Sequence, residues 1–336
     1  MSRERLEADK KEGVSYALTD DGIELPVIDV THGAFKVKLD PLEHDALIEQ
    51  YENDQEPLSR MNPLLRRALL RLVLRGSVLA RAIRQSRGTY LSGLGTYLLK
   101  LGPDNLGKAY AKRIDARIAA SLPALGARVR LQDVAAQLAN ALKPLLAAKP
   151  KAPVRFICIA GGPCIDAQNA LILARSALSG HAVQILDLDI DDAGASFGKR
   201  ALAALKSEGG ALHGIDAELT RTSYDWNAPE SLAPLLGDFE GIQIGSSEGG
   251  LFEYGSDDAI VGNLKILHAA TPADFVMVGS VTRNDAPTRL LIATGNAALV
   301  PRGLDEFRAL AERGGWEIAH VVERFFSDQV ALRKRA

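Results

Sequence analysis

The sequence predicts an α/β fold: a seven-stranded, mostly parallel sheet with an antiparallel last strand, preceded by a mainly helical N-terminal region. Three observations predict it. From Val154 onward, short apolar runs alternate with helical patterns, as in parallel strands joined by crossover helices. The last two apolar runs, near 316–323 and 327–333, are separated by only a short turn, and a pair that close must be antiparallel. Before Pro150, apolar residues recur at the three- and four-residue spacing of helices.

In the first region an extended piece at Ile23–Val30, punctuated by Pro26, precedes four expected helices at Leu42–Asn53, Pro63–Arg84, Asn105–Ala120 and Leu131–Ala147. Lys143-Pro144 should kink or end the last of them, because proline lacks the amide hydrogen a helix interior uses. Between the second and third lies Tyr90-Leu-Ser-Gly-Leu-Gly-Thr-Tyr97, whose glycines and hydroxyls suit either a ligand-approaching loop or an interhelical turn. Tyr90 and Tyr97 are therefore candidate substrate contacts. The proline-bearing segment 147–153 reads as a linker, dividing the chain into residues 1–150, a helical cap or substrate domain, and 151–336, the sheet domain.

In the second region strands are expected near 154–160, 183–189, 217–222, 241–246 and 273–281, then the terminal pair. Helices are expected near 165–178, 192–207, 229–236, 256–270 and 303–313. No repeat or low-complexity tract interrupts them.

Composition narrows the function. With 336 residues and 47% apolar content the chain can bury a core without disulfides or metals. A net charge of −2, without a basic tract, gives no footprint for nucleic acid, which leaves a small molecule as the expected partner. Cys158 and Cys164 are the only cysteines, and no second Cys/His pair stands near enough for a zinc site, so no metal is expected. The first twelve residues lack the apolar centre of a signal peptide. Leu64–Ile83 is broken by Arg66, Arg67, Arg71, Arg75 and Arg81, so it reads as an amphipathic helix packed on its own domain and not as a membrane span. A cytoplasmic protein is the expectation, with a homodimer open.

Three loops carry the chemistry. The buried strand Val154–Ile159 runs through Ala160, Gly161, Gly162 and Pro163 into a helix, so the backbone can approach a ligand closely while the helix N-terminus offers unpaired amides. The second strand ends Asp187-Leu-Asp-Ile-Asp-Asp192, where a carboxylate can accept hydrogen bonds from both ribose hydroxyls. Asp189, followed by Ile190, is the first choice for that role and Asp187, on the same strand face, the reserve; Asp191 or Asp192 caps the next helix. The fourth strand runs into Ser246-Ser-Glu-Gly-Gly-Leu-Phe-Glu-Tyr254.

On these residues the chain resembles the class I, Rossmann-like S-adenosylmethionine (SAM)-dependent methyltransferase family. Cys158-Ile-Ala-Gly-Gly-Pro-Cys164 is similar to its glycine-rich first motif, with Ala160 and Cys164 in place of two usual glycines and Cys158 in place of the usual acid. Asp189–Lys199 is similar to the second motif. The resemblance, which covers about Val154 to Arg335, implies SAM as cofactor. It implies that Tyr224, Asp225 and Trp226 surround the adenine, and that Ser246, Ser247 and Glu248 lie beneath the sulfonium. The implied activity is in-line methyl transfer to a small molecule in a biosynthetic setting. Glu248 is the expected base or, equally, the ligand of the cofactor's ammonium; Glu253, Tyr254 and His268 are further candidate bases, and Tyr254 joins Glu248 as a catalytic candidate. His268, inside a helical pattern, reads as structural, and His32 is left open.

One alternative keeps SAM but cyclises it to azetidine-2-carboxylate with release of methylthioadenosine. Two from other classes are an NAD(P)-binding oxidoreductase, against which the terminal strand pair argues, and a non-catalytic SAM-binding protein.

Overall fold

The computed structural model describes residues 10–62, 64–65, 77, 79, 92–106, 113–294 and 298–335. The expected helix at Pro63–Arg84 lies outside them apart from Leu64, Leu65, Ser77 and Leu79, and so does Tyr90.

A small antiparallel hairpin, β1 (Tyr16–Leu18) and β2 (Glu24–Pro26), opens the chain. At three residues, β1 is too short to show an alternating pattern, and the sequence reading missed it. Helix α1 (Pro41–Arg60) follows, then α2 (Gly93–Lys100), α3 (Arg113–Ala120) and α4 (Leu122–Ala148). Three expectations change here. The Gly-rich stretch before Tyr97 is helix from Gly93 onward, because the Ser92 side chain accepts the Gly95 amide and caps it. Pro144 does not end α4. It stands with Asn140 on the exposed side of the helix, where water can satisfy the carbonyl it leaves unpaired. The expected linker at 147–153 is consequently the last turn of α4 and a tight reversal at Lys149–Ala152.

The sheet forms as the alternation predicts: β3 (Val154–Ile159), α5 (Ile165–Ala174), β4 (Val183–Leu188), α6 (Asp192–Lys206), β5 (Ala217–Thr222), α7 (Leu232–Leu236), β6 (Ile242–Ser247), α8 (Leu251–Tyr254), α9 (Asp257–Ala270) and β7 (Val276–Thr282). Then come α10 (Ala286–Thr294), which the reading had not placed, α11 (Gly303–Arg313), β8 (Trp316–Val322) and β9 (Ser327–Lys334). The strand order is β5-β4-β3-β6-β7-β9-β8. Strands β3 to β7 run parallel, and β9 is antiparallel to both β7 and β8. This is a Rossmann-like sheet, mostly parallel with an antiparallel terminal pair. The chain leaves β3 toward β4 on one side and returns to β6 on the other, so a crevice opens at the carboxyl ends of these strands.

Two apolar layers cover the sheet. On one face Leu131, Val134, Leu138 and Leu142 of α4 share a core with Phe156 of β3 and Leu171 of α5, so residues on both sides of Pro150 bury one another. Gly126 lets α4 approach closely, since a side-chain carbon there would meet the Phe326 ring at 3.3 Å. On the other face Leu232, Leu264, Leu267, Phe307 and Trp316 pack beneath Ile157 and Leu186. The N-terminal segment is tied to the first layer by Asn169, which accepts the Val30 amide at 2.8 Å and donates to the Ile28 carbonyl at 3.0 Å. Among the described residues no helix is long and apolar enough to cross a membrane.

Candidate cofactor and substrate site

The loop from β3 to α5 keeps the backbone of a glycine motif where its sequence departs from one. Ala160, Gly162 and Cys164 have φ of 56°, 54° and 49°, the left-handed region that glycine enters without cost and other residues do not. Two of the three therefore carry strain of the kind that accumulates at ligand sites. Gly161 is required by space: a side-chain carbon there would lie 2.6 Å from Cys164 Sγ and 2.9 Å from Asp187 Oδ1. At Gly162 the obstacle is the Gly93 Cα at 2.9 Å, so the first residue of α2 rests directly on the loop.

Asp189, just past β4, faces this loop. Its Oδ2 accepts the Gly162 amide at 2.9 Å and its Oδ1 the Asp191 amide at 2.8 Å. Burial pushes its acidity toward weaker, an effect those two amides oppose. Ile190 beside it is 58% exposed, an apolar side chain at the edge of the crevice. Asp191 caps α6 through the Ala193 amide, as one of the two expected caps, and Asp192 pairs with Arg221. Asp187 is not on the ligand side at all. It is fully buried beneath Gly161, where burial and the neighbouring Asp189 push its carboxyl up to about 8.

After β5, Tyr224 donates from its hydroxyl to Asn263 Oδ1 at 2.5 Å, which holds its ring, and Asn263 donates to the main-chain carbonyl of Trp226 at 2.9 Å. Between them Asp225 is exposed and accepts from the Asn227 amide at 2.9 Å.

After β6 the arrangement is ionic. Glu248 accepts from Lys100 Nζ of α2 and, at 2.5 Å, from Arg130 Nε of α4. Arg130 Nη1 also reaches both oxygens of Glu253 at 3.1 Å. Burial pushes the Glu248 carboxyl up, but Lys100 and Arg130 together more than offset it and hold the group low. Tyr254 is shifted the other way, first by burial and then by Glu253, so its hydroxyl keeps its proton. Ser246 and Ser247 stand behind this wall, 1% and 0% exposed; the Ser247 hydroxyl accepts the amide of Leu251, the first residue of α8, at 2.8 Å.

These elements enclose a cavity of about 450 Å³, within the range of small-molecule sites. Of the expected residues, Ala160, Gly161, Gly162, Pro163, Asp189, Ile190, Tyr224, Asp225, Trp226, Glu248, Tyr254 and Tyr97 line it. Asp187, Ser246 and Ser247 do not, because their side chains point into the packed layers. Tyr97 presents its ring, while its hydroxyl donates to the Pro26 carbonyl at 2.5 Å and holds the N-terminal hairpin. Glu253 is paired behind the wall, His268 packs edge-on against Trp316, and both ring nitrogens of His32 are engaged by the backbone of Glu12 and Ala34.

Ser92, Gly93 and Thr96, from the stretch left open between a ligand loop and a turn, also line the cavity, whereas sequence reasoning missed Lys100 of α2 and Gly249 and Gly250 of the β6 loop. One signal was there. Lys100 closes the mostly apolar stretch Leu94–Leu99, so a partner is needed wherever the helix buries it, though the sequence can name neither the burial nor the partner.

A scan against protein-family models finds no match, and a search of curated proteins finds none. Solved structures share the architecture. A possible exported protein from Bordetella parapertussis superposes with a TM-score of 0.57 at 18% identity, over 89% of this chain and 100% of that one, which shows the fold. Magnesium protoporphyrin IX methyltransferase from Synechocystis PCC 6803, with bound SAH, gives 0.44 at 16% identity over 64% of this chain and 88% of that one. Mitomycin 7-O-methyltransferase gives 0.41 at 15% identity over 76% of this chain, which spans 66% of that protein's length.

Proposed function

We propose that this protein binds SAM in the cavity and transfers its methyl group to a small-molecule acceptor. The observation that carries the reading is the placement of Asp189. It directly follows β4 at a switch-point crevice, bound to the amide of the glycine loop, with Ile190 and Asp225 open beside it. The residues fit the cofactor. The loop backbone at Gly161 and Gly162 leaves no room for side chains but lines the cavity, Asp189 retains lone pairs for ribose hydroxyls, and Tyr224, Asp225 and Trp226 line the wall beside it.

When bound, SAM supplies an already activated methyl carbon. The chain's own task is then alignment and exclusion of water. Helix α2 supports the second part of that task, since Gly93 is seated on Gly162 and Lys100 on Glu248 at its two ends, roofing the cavity. We assign residues 1–150 the roof and the substrate side, and 151–336 the cofactor side, a division of roles within a shared core. Of the two roles open to Glu248, its pairing with two cations, which hold the carboxyl ionised and make it a weak base, supports the anchoring of an ammonium over the removal of a proton. Tyr254 lines the same end and, holding its proton, suits donation of a hydrogen bond to the acceptor.

The test is calorimetric titration with SAM and S-adenosylhomocysteine, followed by mass spectrometry of incubations with panels of small phenols, hydroxy acids and amines. Micromolar binding and an acceptor-dependent gain of one methyl are expected. Absence of binding by either adenosyl compound would overturn the reading.

A further inference from the structure

Lys100 and Glu248 stand out because a buried ion pair forms part of the cavity wall. Both side chains are 5% exposed, and both line the cavity. Among the described residues Glu248 is the one hydrogen-bond partner of Lys100, so two of the three ammonium hydrogens remain undirected. Glu248 is held independently by Arg130, which is itself braced by Glu253, so it keeps a cation even if Lys100 turns toward something else. Behind the pair, Asp166 is 3% exposed, and its Oδ2 has no hydrogen-bond partner. Its acidity is weakened first by burial and then by the Glu248 charge, and strengthened by Lys100, which places it within the field of both.

A pre-formed pair of opposite charges on a cavity wall is complemented in both signs by a zwitterion. Laid head to tail against the pair, a carboxylate takes the spare hydrogens of Lys100 and an ammonium takes the spare lone pairs of Glu248. Four charges then alternate in a ring. The desolvation that makes buried charge costly has already been met by the folded protein, so each new charge gains a partner without stripping one from the wall.

We propose that the Lys100–Glu248 pair is the receptor for the amino-acid head of the cofactor, Lys100 taking the α-carboxylate and Glu248 the α-ammonium. The assignment rests on the cofactor reading above and extends it to a residue of the N-terminal helical region. Helix α2 thereby distinguishes adenosyl compounds that carry an intact amino-acid head from those that do not.

The experiment compares three ligands by calorimetry on the full chain: SAM, decarboxylated SAM and methylthioadenosine, which lacks the head entirely. Wild-type protein is expected to bind decarboxylated SAM at least tenfold more weakly than SAM. Lys100→Met should lose at least tenfold toward SAM, bind SAM and decarboxylated SAM alike, and bind methylthioadenosine as the wild type does; Lys100→Arg should restore most of the preference. Equal binding of SAM and decarboxylated SAM by the wild type would overturn the assignment, as would a preference that survives in Lys100→Met. The wild-type comparison decides alone if that variant does not fold. Binding of methylthioadenosine without any preference for the head removes the role of Lys100 and leaves the cofactor reading standing, whereas failure of all three ligands removes both.

Discussion

Asp191 and Gly93, 98 positions apart, are joined by a 3.0 Å hydrogen bond from the Gly93 amide to Asp191 Oδ2. The other oxygen of the same carboxylate caps α6. One side chain therefore starts two helices, α2 over the cavity and α6 beside the glycine loop. Each helix N-terminus favours the negative charge. Replacing Asp191 with Ala is expected to cost about 1–2 kcal/mol of stability, the value of a lost cap. It should also free the start of α2. Hydrogen exchange of residues 92–100 should accelerate in this variant while exchange in β3 and β4 stays unchanged.

Asp189 gives a sharper ligand effect. Its carboxylate accepts two backbone amides and faces the cavity, and hydrogen bonds to a charged group contribute about 1.5–3 kcal/mol each. In Asp189→Asn the amide nitrogen must turn toward one of those backbone N–H groups or toward the ligand. Affinity for S-adenosylhomocysteine should fall by roughly 10- to 100-fold, about 1.4 kcal/mol per factor of ten. The melting temperature without ligand reports the structural share of the loss.

The sheet was legible because its strands are nearly continuous apolar runs, and a run such as Val154–Ile159 has few other uses. The acid after β4 and the glycine pair after β3 were legible for a related reason, since local spacing alone sets their geometry. Lys100 and Arg130 were not. Each stands on a helix whose periodicity reports only that it is buried, and their partners lie 118 to 148 positions away. Asp187 was misread for the converse reason. Alternation puts it on the same face as Asp189, but the strand ends at Leu188, and past that point the backbone turns Asp189 toward the loop while Asp187 remains under Gly161.

The buried Asp187 predicts a pH dependence. Its carboxyl is raised to about 8 in the folded protein, mainly by burial, against about 3.9 in an unfolded chain. The folded state therefore holds a proton that the unfolded state releases. The stability this contributes is fully present below the unfolded value and is lost as pH rises through about 8. Within that window the slope approaches about 1.4 kcal/mol per pH unit. Asp187→Asn cannot ionise, so its melting temperature should gain on the wild type steadily from pH 5 to pH 8. Parallel melting curves across that range would contradict the assignment.

Arg130 tests the ionic wall from behind. It is 14% exposed and holds Glu248 and Glu253, which are 5% and 2% exposed. Arg130→Met leaves two buried carboxylates with Lys100 as their remaining cation, and removing one member of a buried ion pair typically costs about 3–5 kcal/mol. The urea midpoint should fall accordingly. Adding Glu253→Gln to the same chain removes the charge that has lost its partner, so the double variant should recover a substantial part of the loss. If Glu253→Gln alone destabilises as much as Arg130→Met and the two effects simply add, the residues act independently and the network does not function as a unit. Recovery in the double variant instead means that the charge balance of the wall, and not the packing of any one side chain, keeps the Lys100 end of the cavity in place.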